Sequence, residues 1–178
     1  LTVMGNDALT TLSLPSTTTL GGLNCTENAA LTTVELASLS DVSGDFKAQW
    51  NGAPHSWELT SLKSVGGSLI VSSNPGTTAL TLPLLESVGD FFGLEGNNTL
   101  SLVTTPVLAD VGGNLYVSDN AVLASLSFPE LTQCGGTVGF YDGNPGLESF
   151  ELPKLKSGGF AFCIYSNHRD TIISGKSL

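Results

Sequence analysis

Few side chains in this sequence are suited to acid–base or nucleophilic chemistry. Its two histidines, His55 and His168, lie far apart in the chain, whereas a Ser-His-Asp or Cys-His site needs its members within hydrogen-bonding reach. The motifs G-x-S-x-G and H-E-x-x-H, the phosphate-binding loop and the EF-hand loop are absent. The sequence therefore predicts a protein without catalytic residues, and it indicates no cofactor.

The three cysteines, Cys25, Cys134 and Cys163, are too few and too widely spaced for a disulfide framework or a zinc site. At most one disulfide can form among them. Each occupies a position that is apolar in other copies of the repeat described below. This pattern favours a small buried hydrophobe at all three positions.

Acidic side chains recur at intervals that suggest a metal site, namely Glu27, Glu95, Asp119 and Asp142. Stacked carboxylates can bind Ca²⁺ together with turn carbonyls. However, these positions differ by one residue between copies of the repeat and lack the spacing of a β-roll calcium repeat. A solvated acidic edge is therefore favoured, and no metal site is predicted.

Charge and composition argue against several classes of partner. Sixteen acidic and six basic residues give a net charge of −10, and such a field repels nucleic acid and anionic membranes. No apolar run approaches the ~20 residues of a spanning helix, and Leu1 does not begin a signal peptide. We expect a soluble segment without direct membrane insertion, whose targeting segments lie outside it. Its many Ser, Thr, Asn and Gly residues suit the outside of a cell.

The elements that position these side chains follow a repeat of 22 to 24 residues. The repeat is marked by asparagines at a nearly constant interval: Asn6, Asn28, Asn51, Asn74, Asn97, Asn120, Asn144 and Asn167. Such a period is typical of a solenoid, whose units stack because none can bury its apolar face alone. The repeat predicts one domain over 1–178, with coils at 1–22, 23–44, 45–67, 68–90, 91–113, 114–136, 137–159 and 160–178.

The best copy of the unit, residues 115–136, follows the pattern L-x-V-x-x-N-x-x-L-x-x-L-x-L-P-x-L-x-x-V-G-G. Its apolar residues alternate in short bursts, which is the period of a strand with one buried face. No copy has the i, i+3, i+4, i+7 pattern of a helix. The predicted fold is all-β, a right-handed parallel β-solenoid of about eight coils, each with two or three short strands that pair with neighbouring coils.

Three residue types are predicted to form the corners of each coil. The double glycine allows the backbone to adopt positive φ and to approach the neighbouring coil where a Cβ would collide. The asparagine turns inward, satisfies backbone groups at the next corner and stacks into a ladder. The proline ends a strand at a position that needs no N–H.

Two sequons for N-glycosylation occur, Asn24-Cys25-Thr26 and Asn97-Asn98-Thr99. Asn24 lies between the inward Leu23 and Cys25, so it is predicted to point outward and to accept a glycan. Asn97 belongs to the ladder, so we expect it to be glycosylated less readily.

The third coil departs from the repeat, because residues 53–57 replace the leucine turn. Both tryptophans lie in this coil, and Trp50, His55 and Trp57 form a candidate binding epitope on a loop. The alternative is a larger corner packed by aromatic rings.

At the ends of the chain, the run His168-Arg169-Asp170 predicts a cap for the last coil, whereas the first coil shows no such cap. We therefore expect a fragment of a longer protein, or a first coil packed on another subunit.

The pattern L-x-x-L-x-L-P-x-L-x-x-V-G-G-x-L-x-V-x-x-N, seen in residues 59–74 and 123–144, resembles the receptor L-domain class of leucine-rich β-solenoids. It is similar both to the ligand-binding L domains of insulin and epidermal growth factor receptors and to fungal GPI-anchored cell-wall proteins of the sporulation-specific type. The residues do not decide between these branches. The resemblance implies a non-enzymatic protein of the cell surface or cell wall, acting in adhesion, ligand binding or wall organisation, with a protein or glycan ligand.

Two other functions are compatible with stacked coils. A bare solenoid end suits head-to-tail contacts between copies of the chain, as in an extracellular filament or coat. Flat faces with threonine rows bind ice, and threonine pairs occur at 10–11, 32–33, 77–78 and 104–105. These pairs do not keep one register relative to the asparagines, which argues against a continuous ice-binding face.

Overall fold

The computed structural model describes residues 1–52, 56–141, 143–156, 162–164 and 172–174. Every regular element in these ranges is a β-strand, and every pair of strands is parallel and lies one coil apart. The prediction of an all-β parallel solenoid is confirmed.

The strands, numbered in chain order, form three faces. The first face is one sheet, the long sheet, made of β1 (Thr2–Met4), β4 (Leu23–Thr26), β7 (Phe46–Gln49), β10 (Leu69–Ser72), β13 (Phe92–Glu95), β16 (Leu115–Ser118), β19 (Val138–Phe140) and β21 (Phe162–Ile164). The second, the narrow sheet, contains β3 (Thr19–Leu20), β6 (Asp41–Val42), β9 (Ser64–Val65), β12 (Ser87–Val88), β15 (Asp110–Val111) and β18 (Gln133–Cys134). The third face is divided into β2 (Thr11–Ser13) with β5 (Thr33–Glu35), then β8 (Ser56–Glu58), β11 (Ala79–Thr81) and β14 (Leu102–Thr104), then β17 (Ser125–Ser127), β20 (Ser149–Glu151) and β22 (Ile172–Ser174).

The number of complete coils is slightly smaller than the sequence predicted. Six coils contain a strand on each of the three faces, and the described residues after β18 supply two strands to each of two further turns. The long sheet nevertheless runs through all eight units without a change of register on its inward side, as in the alignment of Leu69 with Phe46 and Phe92. It therefore provides the longest uninterrupted surface in the described part of the chain.

Alternating apolar residues fill the inside of the coils. In β10, Leu69 and Val71 are fully buried, and their partners in neighbouring coils are buried as well. The valines of the narrow sheet form a similar inward column. Each buried Leu or Val side chain contributes about 1.5–3 kcal/mol relative to an exposed one. Because most of its contacts come from the coils above and below, the stack is stable where one coil is not.

The predicted asparagine ladder is confirmed for the described coils. Its fully or almost fully buried members are Asn28, Asn51, Asn74, Asn97, Asn120 and Asn144. Asn51 shows the pattern: its backbone N–H and its Nδ2 both donate to Oδ1 of Asn74, and its Nδ2 also donates to the carbonyl of Cys25. Asn6 is exposed at the first position of the ladder, and Asn167 lies outside the described residues.

The two roles predicted for the double glycine have different outcomes. The close approach is confirmed, because a Cβ on Gly112 would lie 2.1 Å from the carbonyl oxygen of Gly89 in the preceding coil. The prediction of positive φ at these pairs is wrong, since no glycine pair in the described ranges has it. Positive φ is found instead at the residue before each ladder asparagine in the described coils, at Gly5, Glu27, Trp50, Ser73, Gly96, Asp119 and Gly143.

The structure confirms buried positions for two of the three cysteines. Cys25 and Cys134 are buried, and all three thiols are free. The prediction is wrong for Cys163, which is partly exposed. The register places Cys163 beside Gly139 on the outward side of the long sheet, whereas the apolar pattern suggested an inward position. The run proposed as a cap, 168–170, lies outside the described residues.

Candidate binding surface

Three aromatic side chains form a continuous patch on the outer face of the long sheet. We call this patch, made of Phe91, Tyr116 and Tyr141, the aromatic strip. Phe91 immediately precedes β13, Tyr116 lies in β16, and Tyr141 immediately follows β19. All three are partly exposed. Because the three strands are neighbours in one sheet, the strip crosses them and runs along the solenoid axis.

Two glycines make room for these rings. Gly93 and Gly139 are the partners of Tyr116 on the two flanking strands. A Cβ on Gly93 would lie 2.3 Å from Cε1 of Phe91, and a Cβ on Gly139 would lie 2.3 Å from Cε2 of Tyr141. The rings thus occupy the space that side chains at these positions would fill. Aromatic rings often cover strand glycines in this way, which restores packing that the glycine lacks.

Neighbouring rings of the strip pack edge-to-face, with their planes nearly perpendicular. Phe91 and Tyr116 have ring centroids 5.3 Å apart and planes at 84°, and Tyr116 and Tyr141 have centroids 5.0 Å apart and planes at 90°. Edge-to-face pairs of this kind add about 0.5–1.5 kcal/mol beyond the area they bury. The strip is therefore a rigid surface, and its rings lose little rotational freedom when a ligand binds.

The environment of the Tyr141 hydroxyl favours its protonated form. A hydrogen bond between Tyr141 and Tyr116, followed by desolvation, raises the pKa of Tyr141 above its ordinary value. On the same outer face, one coil toward the amino terminus, lies Ile70 of β10, which is also partly exposed. One coil further lies Lys47, whose ammonium group is 2.7 Å from Asp45. The strip itself thus presents apolar rings and phenol hydroxyls without a charge.

The epitope predicted in the third coil is only partly supported. Trp50 is 55 % exposed and has a positive φ of 51°, which is unusual for a bulky residue. Trp57 is fully buried, with its ring edge-on to Phe46 at 6.1 Å, so its assignment to a surface epitope is wrong. Its position in β8 aligns it with the inward Leu80, and it fills the corner as the alternative predicted. His55 lies outside the described residues.

The two sequons differ in the way the sequence predicted. Asn24 is partly exposed in β4, between the outward positions of Thr2 and Lys47, and its Oδ1 accepts a hydrogen bond from Thr26 at 2.5 Å. Asn97 is fully buried, and its Nδ2 donates to the carbonyl of Val71 at 2.9 Å. The nitrogen that would carry a glycan on Asn97 is therefore inside the ladder.

The acidic residues before the ladder do not converge. Glu27 and Asp119 lie at the positive-φ corners of coils four apart, and Glu95 ends β13. All three are exposed. Asp142 lies outside the described residues. Within the described ranges, no group of three or more His, Cys, Asp or Glu side chains is arranged to bind a metal ion.

The third face carries the threonine pairs and a shallow groove. Thr11 and Thr33 are aligned in β2 and β5, but Thr77 and Thr105 are buried, so the four pairs do not form one exposed row. Where β14 and β17 are not hydrogen-bonded, a groove of about 270 Å³ is lined by Val103, Thr104, Thr105, Pro106, Ser127 and Pro129. These mostly apolar walls contain no ionisable side chain.

The sequence analysis missed the aromatic strip, because it followed inward positions and treated glycines as corner residues. A signal was present in the outward positions. In F-F-G-L-E (91–95) and V-G-F-Y (138–141), a glycine inside a strand stands two residues from an aromatic residue on the same face. The repeat places an aromatic residue, Tyr116, between these two glycines.

Comparison with protein-family models, curated proteins and solved structures finds no match for this chain. In the described part of the molecule, no helix has the length and apolar character required to cross a membrane. A function for this chain is therefore inferred from its surface.

Proposed function

We propose that this chain is a non-enzymatic protein of the cell surface or cell wall that binds a ligand through the aromatic strip. The observation that carries this proposal is the strip itself: three rings, fixed over two glycines, on the uninterrupted sheet. Aromatic residues dominate the binding energy of many interfaces because they bury a large area at a small entropic cost.

The alternative role of the strip is to cover the glycines, and the two roles lead to different expectations. Covering Gly93 and Gly139 requires apolar area but no particular ring. An aliphatic side chain, Ile70, already lies beside Gly93 on its other flanking strand, β10. The combination of flanking glycines and perpendicular rings is better suited to a preformed contact surface.

The extracellular location is supported by composition and by the resemblance to the L-domain class. A net charge of −10 with few lysines and arginines keeps the chain away from nucleic acid and anionic membranes. The outward sequon at Asn24 provides a place for a glycan without disturbing the core. Adhesion, ligand binding and wall organisation all fit a rigid rod with one recognition face.

The test is retention of the purified protein by cell-surface material from the cells that produce it. Wild type is compared with Tyr116→Leu, which keeps an apolar cover over the glycines but removes the aromatic ring. The matched control is Leu102→Ser, because Leu102 is an exposed apolar residue on the third face. We expect Tyr116→Leu to lower retention at least tenfold and Leu102→Ser to leave it unchanged. Equal retention of all three proteins would contradict the proposal.

A second candidate is a structural subunit of an extracellular filament or coat. The observation in its favour is that apolar side chains of the first coil, including Val3, Leu9 and Leu20, are only partly buried, whereas their equivalents in later coils are fully covered. A contact with the end of another copy would cover them, as would a preceding coil of the same chain. Sedimentation over a hundredfold range of concentration separates the candidates, since only a filament subunit polymerises as concentration rises.

A further inference from the structure

We infer that the ligand of the aromatic strip is a neutral, extended polysaccharide that lies along the solenoid axis. The inference rests on the proposed function and names the chemical class of its ligand. Pyranose rings carry axial C–H groups on one face, and these pack on the faces of aromatic rings. Their hydroxyl groups, at the rim of the sugar, exchange hydrogen bonds with polar groups beside the rings.

The direction and spacing of the strip suit a linear sugar chain. Phe91 covers Gly93 in one coil, and Tyr141 covers Gly139 two coils away, with Tyr116 between them. Two strand spacings correspond to about 10 Å, which is comparable with the separation of alternate residues in an extended pyranose chain. A chain lying along the axis would thus meet the first and third rings with sugars two apart.

The size of the strip also favours a thin ligand over a folded protein. A buried aromatic side chain covers about 150–250 Å², so three partly exposed rings offer only about 300 Å². A stable protein interface needs about 800 Å² on each partner. One row of rings therefore supplies too little area for a protein partner and enough for a single sugar chain.

Charge restricts the ligand further. No member of the strip is an acidic or basic residue, and the exposed groups beside its described part include two carboxylates, Asp90 next to Phe91 and Glu95 at the end of β13. An acidic polysaccharide would be repelled by these groups and by the net charge of −10. A neutral chain avoids this repulsion, and its hydroxyls can donate to the same carboxylates.

Polar groups at the edges of the strip suit hydroxyl ligands. The hydroxyls of Tyr116 and Tyr141 are hydrogen-bonded to each other, which orients them. Asn114 precedes β16 and its Oδ1 accepts from the backbone N–H of Thr137 at 2.7 Å. This bond fixes the amide group of Asn114, which the register of β13 with β16 makes the neighbour of Phe91 in the next coil.

The experiment is affinity electrophoresis in gels containing soluble polysaccharides of known charge. The neutral probes are hydroxyethyl cellulose, mixed-linkage β-glucan and glucomannan, and the acidic probes are polygalacturonate and alginate. Wild type is compared with Tyr116→Leu, Tyr116→Phe and the control Leu102→Ser. We expect at least one neutral probe to retard the wild type. Tyr116→Leu should bind at least tenfold more weakly, and Tyr116→Phe should fall between this variant and the wild type, because it keeps the ring and loses the hydroxyl. Leu102→Ser should change binding less than threefold. Circular dichroism checks that each variant is folded.

Two results would overturn the inference while leaving the proposed function intact. One is stronger retardation by acidic than by neutral probes. The other is retardation by none of the neutral probes, although cell-surface material still retains the wild type and not Tyr116→Leu. In that case, protease treatment of the material would abolish retention and glycoside hydrolases would not. If neither the gels nor the cell-surface material retain the wild type, the proposed function fails together with the inference.

Discussion

In the described coils, the residue before each ladder asparagine has a left-handed backbone conformation, whatever its side chain. Glycine, glutamate, serine, aspartate and tryptophan all occupy this position with φ between 51° and 91°. A residue other than glycine pays about 1–2 kcal/mol for this conformation. Trp50 has this conformation with a largely exposed ring, so contacts of its ring with the core do not offset the cost.

This position predicts opposite effects of two substitutions. Glu27→Gly should raise the free energy of unfolding by about 0.5–1 kcal/mol, because relief of the left-handed strain exceeds the entropic cost of the added glycine. Gly96→Ala, at the equivalent corner with φ 67°, should lower it by about 1 kcal/mol. Urea denaturation measures both. Changes of the same sign would show that φ does not control stability at this corner.

The ladder predicts a large loss for Asn74→Ala. The change removes the acceptor for the backbone N–H and Nδ2 of Asn51 and the donor to the carbonyl of Ala48. Each buried group left unsatisfied costs about 1–3 kcal/mol, so the expected loss is about 3 kcal/mol or more. The control is Asn24→Ala at an outward position, which should change stability by less than about 0.5 kcal/mol. A similar loss of unfolding free energy in both variants would contradict a stabilising role for the hydrogen bonds of the ladder.

Glycan occupancy provides a test of location and fold together. When the protein is secreted from a eukaryotic cell, we expect a glycan on Asn24 and none on Asn97 in the folded fraction, because Asn97 is fully buried. Peptide mapping by mass spectrometry after enzymatic removal of N-glycans measures this. A glycan on Asn97 in folded protein would be incompatible with its place in the ladder.

For single residues, the nearly constant interval between asparagines was the most reliable basis for predicting which side chains are buried. Eight asparagines in one period fixed the ladder, whose described inner members are buried. Trp57 was assigned to the wrong side, because residues 53–55 interrupt the repeat just before it and obscure the alternation of faces. The aromatic strip was missed because outward positions carry no periodic constraint, and its meaning depends on contacts between coils.

At the scale of elements, the close approach of neighbouring coils at the narrow sheet is the feature most sensitive to substitution. Gly112→Ala places a Cβ 2.1 Å from the carbonyl oxygen of Gly89, and this backbone atom cannot move without shifting a coil. We expect a loss of about 3 kcal/mol or more. Gly21→Ala is the matched control, since no atom lies within 4 Å of its Cβ position. Differential scanning calorimetry should show a large fall in Tm for the first variant only.

The strands themselves were predictable from short alternating bursts, but the conformation of the corners was not. Positive φ was expected at the glycine pairs, where the need for glycine is in fact steric. The left-handed corner lies one residue before the asparagine, where five residue types occur in different coils. A position that tolerates so many side chains leaves no composition signal in one sequence.

At the scale of the whole molecule, stacking determines which thiols can react. Burial raises the pKa of Cys25 to about 11 and also raises the pKa of Cys134. At pH 8 we therefore expect rapid alkylation of Cys163 alone in the native protein, and of all three cysteines after unfolding. As pH rises from about 9 toward 11, the unfolded chain ionises Cys25 first, so this thiol should make the fold less stable. Alkylation of Cys25 in the native protein as fast as that of Cys163 would contradict the burial of Cys25 between stacked coils.

The architecture of the molecule followed from its period, whereas its function did not. Stacked units share one core, so a repeat of fixed length specifies the whole fold once one unit is understood. The proposed function depends on a few outward side chains that break the repeat, namely three rings and two glycines on one sheet. Their significance becomes visible only when the register of neighbouring coils is known.

The most direct test of the account is hydroxyl-radical footprinting of the protein with and without bound cell-surface material. Mass spectrometry would report the oxidation of Phe91, Tyr116 and Tyr141 in the strip and of Trp50 at the third corner. We predict that binding lowers the oxidation of the three strip residues at least threefold and leaves Trp50 unchanged. Protection of Trp50 with full oxidation of the strip would contradict the account and would place the binding surface at the third coil.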